Sequence, residues 1–170
     1  MLTYILTDTH FFHTNIIKYQ YRPENFEKLI IKGLSIIQQN DILIHLGDIC
    51  LGKDAEVHSQ IMPLLSHLHS KILVLGNHDN HSNTWYCEHG WDFVCESFSA
   101  KYFGKNILFS HRPQIPEKKY DINIHGHSHG NRHRADEYCE FWNPDYHKEF
   151  CLEHNHYQPI LLKTFLEKLK

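Results

Sequence analysis

Lys71-Ile72-Leu73-Val74-Leu75 runs directly into Gly76-Asn77-His78-Asp79, an apolar stretch that ends in a glycine, an amide, an imidazole and a carboxylate. Such a short aliphatic run, closed by a glycine, predicts a buried strand rather than a helix. Taken alone, Gly-Asn-His-Asp is an ordinary tight turn. Its neighbours change its meaning. Upstream, the apolar run Leu2 to Leu6 leads to Asp8-Thr9-His10, and Ile42 to Leu46 leads to Gly47-Asp48. Downstream, Asn106 to Phe109 leads to Ser110-His111, and Asp121 to Ile124 leads to His125-Gly126-His127-Ser128-His129. Strand ends in parallel α/β sheets are where loops converge on one crevice. Metal-type side chains at five successive ends therefore point to a single shared site.

Between these strands the periodicity is helical. Pro23 to Gln39 has proline in its first turn and Phe26, Leu29, Ile30 and Leu34 on one face, and Ala55 to Leu68 reads as a helix broken at Pro63. After Asn80 the segments shorten, with further strand-like runs at Phe93 to Phe98, Phe150 to Glu153 and Pro159 to Lys163. A βαβαβ half followed by a strand-rich half predicts an α/β fold of two packed mixed sheets flanked by helices, in one domain over residues 1–170 without a cap domain.

The 170 residues are 41% hydrophobic and 13% aromatic, enough for a packed core and too apolar for an intrinsically disordered chain. Seventeen Lys+Arg against twenty Asp+Glu give a net charge of −3, so a nucleic acid or anionic surface would have to be held locally. The apolar runs fall far short of the about 20 residues that span a bilayer, and the N-terminus lacks a signal-peptide pattern, so a cytoplasmic location is expected. Cys50, Cys87, Cys95, Cys139 and Cys151 form no C-x-x-C pair and read as reduced, mostly buried side chains. Histidine is the unusual residue, at 17 of 170, scattered along the chain. In His125-Gly126-His127-Ser128-His129 alternate residues of an extended segment face one way and can present two imidazoles to one site.

The order D-x-H, G-D, G-N-H-D, S-H, G-H-x-H from Asp8 to His129 resembles that of the calcineurin-like metallophosphoesterase superfamily. The opening Asp8-Thr9-His10-Phe11-Phe12-His13-Thr14-Asn15-Ile16-Ile17, with Tyr21-Arg22-Pro23 after it, is similar to that of small bacterial and phage members. The resemblance implies a four-layer αββα sandwich with a two-metal site between its sheets. It places Asp8, His10 and His129 on one divalent ion, Asn77, His111 and His127 on a second, and Asp48 between both. Carboxylate, imidazole and amide oxygen without thiolate suit Mn, Fe or Zn, and leave the choice among them open.

What the resemblance further implies is a mechanism: Asp48 holds two cations roughly 3.5 to 4 Å apart, a hydroxide bridging them attacks phosphorus in line, and His78 protonates or stabilises the leaving oxygen. Asp48 and His78 are thus the expected catalytic residues. The chain departs from the pattern at Leu51 and Gly52, where many members carry a charged residue. What orients His78 is left open; Asp79 is one choice, and a turn or capping role is its alternative. Asn15, Arg22 and Arg112, with His13 nearby, are expected to contact substrate, the guanidinium groups matching phosphate in bidentate fashion. Asn15 could equally cap a short helix, and the arginines could equally form surface ion pairs. His125 is left outside the ligand set, while the Lys118-Lys119 pair and Arg132-His133-Arg134 read as solvated basic faces.

The implied activity is metal-dependent hydrolysis of a phosphodiester or nucleotide-type phosphate ester, a nucleotide or nucleic-acid end approaching an open cleft. A phosphomonoesterase and a non-catalytic protein-binding scaffold of the same fold are the alternatives. The full ligand set with His78 weighs against the scaffold, and no H-x-H-x-D-H of the metallo-β-lactamase kind is present.

Overall fold

The computed structural model describes residues 1–131, 138 and 140–169. The first sheet contains β1 (Thr3–Leu6), β2 (Ile42–His45), β3 (Ser70–Val74), β4 (Phe93–Cys95) and β9 (Ile160–Leu161), in the order β4-β3-β2-β1-β9. All its pairings are parallel except β1 with β9. The second sheet runs β5-β6-β7-β8, from β5 (Ser97–Tyr102), β6 (Lys105–Ser110), β7 (Ile122–His125) and β8 (His147–Glu149). Here β5 is antiparallel to β6, whereas β6, β7 and β8 are mutually parallel. Both sheets are mixed, as expected.

The helices are α1 (Asn15–Tyr19), α2 (Phe26–Leu34), α3 (Asp54–Ile61), α4 (Asn83–Glu88) and α5 (Leu162–Glu167), with a 3₁₀ turn at Met62–Leu65 where Pro63 ends α3. Leu6, Leu43 and His45 meet Ile30 and Leu34 of α2 and Ile61 of α3. By strand alternation Ile5 and Ile44 point to the other face, where they are fully buried in one cluster with Ile107, Phe109 and Ile124 of the second sheet. The two sheets thus share one core.

Three strand boundaries differ from expectation. Phe93 to Phe98 is two strands in different sheets, the chain crossing at Glu96, a change that depends on tertiary partners and not on local pattern. Phe150 to Glu153 is not a strand: β8 ends at Glu149, and Glu153 opens a 3₁₀ turn at Glu153–Asn155. Pro159 to Lys163 pairs only at Ile160–Leu161, because Leu162 already begins α5. The Pro23 to Gln39 helix is also shorter, Phe26–Leu34. Among the described residues no helix is long and apolar enough to cross a membrane. The described cysteines are free, with Cys50 and Cys151 buried and Cys87 exposed; Cys139, Arg132, His133 and Arg134 lie outside the described residues.

Candidate metal centre

The loops after β1 and β2 run side by side, with the N–H groups of Asp8, His10 and Phe11 donating to the carbonyls of Gly47, Asp48 and Ile49 at 2.9, 3.0 and 2.9 Å. Gly126 N–H likewise donates to His111 O at 3.1 Å, tying the loops after β7 and β6. The parallel strands thus deliver their ends to one place. Two glycines permit the approach: a Cβ on Gly126 would run into the Asp8 carboxylate, and one on Gly76 into that of Asp48. Asp8, His10, Asp48, His127 and His129 all have positive φ, between 48° and 71°. Left-handed backbone is unfavourable for these residues, and its concentration here marks a site where geometry outranks local stability.

Asp8, His10 and His129 form one group of close ligand-type atoms, and Asp48, His111 and His127 a second; a third joins His10, Asp48 and His78. Each aspartate uses one oxygen for bracing and turns the other inward. Asp8 Oδ2 accepts from Thr7 Oγ1 at 2.6 Å and His127 N at 3.0 Å, leaving Oδ1 3.8 Å from His10 Nε2 and 3.7 Å from His129 Nε2. Asp48 Oδ1 accepts from His78 N at 2.9 Å, while Oδ2 lies 3.5 Å from both His10 Nε2 and His111 Nε2. Asn77 Oδ1 lies 3.1 Å from His111 Nε2, and His127 Nδ1 lies 3.0 Å from the same nitrogen. His111 Nδ1 donates to Leu46 O at 2.8 Å, which leaves Nε2 free of its proton in the neutral ring.

The electrostatics are those of a largely buried, charge-dense site. Burial alone would raise the Asp8 pKa, but His129, His111 and His10 bring it well below the carboxylate range. Asp48 is pushed up to about 6 by burial, with the Asp8 charge adding to the effect and His111 opposing it. Burial also takes His10 well below its ordinary value. Asp8 Oδ1 and His10 Nε2 are buried without a hydrogen-bond partner. Orphaned atoms of this kind are costly unless something else satisfies them, and a carboxylate–imidazole set is what a borderline-hard dication takes.

The other predicted residues fall into place unevenly. Arg112 is exposed and its Nη2 donates to Asn77 Oδ1 at 3.2 Å, at the edge of the second group. His13 stands beside His10, with Nδ1 atoms 3.3 Å apart. Asn15 is exposed at the start of α1, and the capping position is Thr14, not Asn15. Arg22 corrects the expectation of a phosphate clamp: its side chain is buried beneath the loop after β1, bonded to Glu153 and to the carbonyls of Asp8 and Thr9. Asp79 accepts from Asp48 N and Gly76 N at 2.8 Å each and from Ile49 N at 3.0 Å, which pins the loops after β2 and β3 together. His125 belongs to none of the three groups and packs edge-on against Trp142. Lys119 pairs with Glu117.

Two supports had no motif to announce them. His45, inside β2, accepts from Gly47 N at 3.1 Å and meets Thr9 Oγ1 at 3.2 Å, and burial holds its pKa down at about 3. Glu153 Oε1 bonds His129 Nδ1 at 2.9 Å.

Comparison with known proteins agrees with this architecture. The chain is 31% identical over 180 residues to MJ1445, an uncharacterised protein of Methanocaldococcus jannaschii, covering 98% of this chain and 90% of that one. Its structure is similar to that of AQ665, a protein of unknown function from Aquifex aeolicus (TM-score 0.73, 26% identity, 99% of each chain). It also shares its fold with the nuclease MPE of Pseudomonas putida (TM-score 0.52, 18% identity, 75% of this chain and 61% of that one). With the profile of the calcineurin-like phosphoesterases matching residues 1–165, the chain belongs to that family.

Proposed function

We propose that this chain hydrolyses phosphate esters with two divalent cations, and that its substrate is a phosphodiester or nucleotide-type ester. The observation that carries the reading is the position of Asp48 Oδ2, 3.5 Å from His10 Nε2 of one ligand group and 3.5 Å from His111 Nε2 of the other. Asp8, His10 and His129 would hold one ion, Asn77, His111 and His127 the other, with Asp48 shared. When bound, such a pair supplies charge neutralisation at phosphate and a more acidic water, a chemistry open to Mn, Fe or Zn.

The chain's own residues supply the rest. His78, partly exposed with its Nε2 3.9 Å from Asp48 Oδ2, is placed to give a proton to the departing oxygen. Arg112, anchored on Asn77 and open to solvent, is placed to bind a phosphate oxygen at the rim. Asp79 keeps the two loops that carry Asp48 and His78 in register without touching the reacting atoms.

The test is turnover of metal-stripped protein reconstituted with Mn²⁺, Fe²⁺ or Zn²⁺ on p-nitrophenyl phosphate, bis-p-nitrophenyl phosphate, nucleotide p-nitrophenyl esters and short RNA. Metal-dependent cleavage of diesters above monoesters is expected. Metal binding without hydrolysis of any of them would favour the scaffold alternative, and faster monoester cleavage would make the chain a phosphatase.

A further inference from the structure

Glu153 belongs to no sequence motif and to none of the three ligand groups, yet its carboxylate meets the centre from behind. Oε1 bonds His129 Nδ1 at 2.9 Å and accepts from Arg22 Nε at 2.9 Å and Nη2 at 2.7 Å. The Arg22 side chain is 0% exposed and that of Glu153 12%. Arg22 in turn donates to the carbonyls of Asp8 at 2.7 Å and Thr9 at 3.0 Å. One buried ion pair, between residues 131 positions apart, therefore fastens the turn after β8 to the backbone of the first predicted ligand.

A neutral imidazole carries its proton on one nitrogen and offers a lone pair on the other. A carboxylate at Nδ1 places the proton there, which leaves Nε2 to coordinate. His129 Nε2 lies 3.7 Å from Asp8 Oδ1. We propose that Glu153 is a positioning residue that fixes His129 as its Nδ1–H tautomer, and that the Glu153–Arg22 pair sets the metal affinity of the Asp8–His10–His129 position alone. The affinity part rests on the two-ion reading above; the tautomer part does not. The pair also holds Asp8 in its left-handed conformation, φ 50°, through the carbonyl that Arg22 grips.

Two measurements on the full chain test this. Zn²⁺ titration of metal-stripped protein, by competition with a chromophoric chelator, should show one of two affinities weakened about 10- to 100-fold in Glu153→Ala and the other unchanged. Glu153→Gln, whose amide oxygen still accepts from Nδ1–H, should recover part of the loss. Imidazole ¹⁵N shifts of the metal-free protein at mildly alkaline pH, with His129→Gln to identify the resonance, should report Nδ1–H in the wild type and a mixture in Glu153→Ala. If Glu153→Ala does not fold because Arg22 is left buried and unpaired, Arg22→Met/Glu153→Ala removes that charge and carries both measurements. An unchanged tautomer, or equal weakening at both positions, would overturn the proposal. Wild-type protein that takes up no Zn²⁺ would refute the two-ion reading, while the tautomer would still decide the role of Glu153.

Discussion

The main-chain N–H of His78 donates to Asp48 Oδ1 at 2.9 Å, while the His78 ring brings Nε2 within 3.9 Å of Asp48 Oδ2. Backbone and side chain of one residue thus address both oxygens of the Asp48 carboxylate. Only the ring is lost in His78→Ala, so the brace on Asp48 survives. We expect this variant to keep two metals and to turn over about 10²-fold more slowly. The loss should shrink for nitrophenolate-type leaving groups, which need little protonation. Metal content and kcat across leaving groups of graded pKa check this; a lost metal would make His78 a ligand, and a uniform loss would assign it to phosphate binding.

Asp48→Asn should remove nearly all activity and lower metal content. The amide can still accept from His78 N–H, so the loop should hold, but a neutral group bridges two cations poorly. Elemental analysis alongside kcat is the check. Two retained metals with full turnover would contradict a bridging role.

On the proposed role of Arg112 in binding a phosphate oxygen, Arg112→Ala should raise KM about tenfold with metal content unchanged, since the guanidinium sits exposed on Asn77 and its charge-assisted bonds to phosphate would be lost. Arg112→Lys should restore part of the loss. Unchanged KM in the alanine variant would remove Arg112 from the substrate contacts.

The five metal-type strand ends could be read in the sequence because each is a short contiguous motif, and parallel strands bring such ends together whatever the loops between them do. Glu153 and Arg22 could not, since a contact across 131 positions leaves no local trace. Arg22 was legible only as a guanidinium near the first motif, and composition does not say whether such a group faces solvent or core. His45 was hidden for a related reason: a histidine within an apolar run looks like any other buried strand residue until its partners at Gly47 and Thr9 are known. The split of Phe93 to Phe98 between sheets was illegible too, because β4 pairs with β3 and β5 with β6, a choice made by tertiary packing.

Stability should fall on acidification below the ordinary histidine pKa, in part through His58. Burial lowers its pKa, and as a neutral ring it accepts from Trp91 Nε1 at 3.0 Å. A depressed folded-state pKa means that the unfolded chain takes up the proton first. Its contribution is therefore complete above about pH 6.5 and is lost as pH falls through the lower folded value. Urea unfolding of metal-free protein should show a smaller slope of stability against pH in His58→Gln than in the wild type, by up to about 1.4 kcal/mol per pH unit. Equal slopes would mean that His58 titrates alike in both states.

The most direct test is to locate the ions. Anomalous diffraction at the manganese or zinc edge, from crystals grown with that ion, should give two peaks per chain, one among Asp8, His10 and His129 and the other among Asn77, His111 and His127, with Asp48 between them. A single peak, or two peaks that do not share Asp48, would contradict the account.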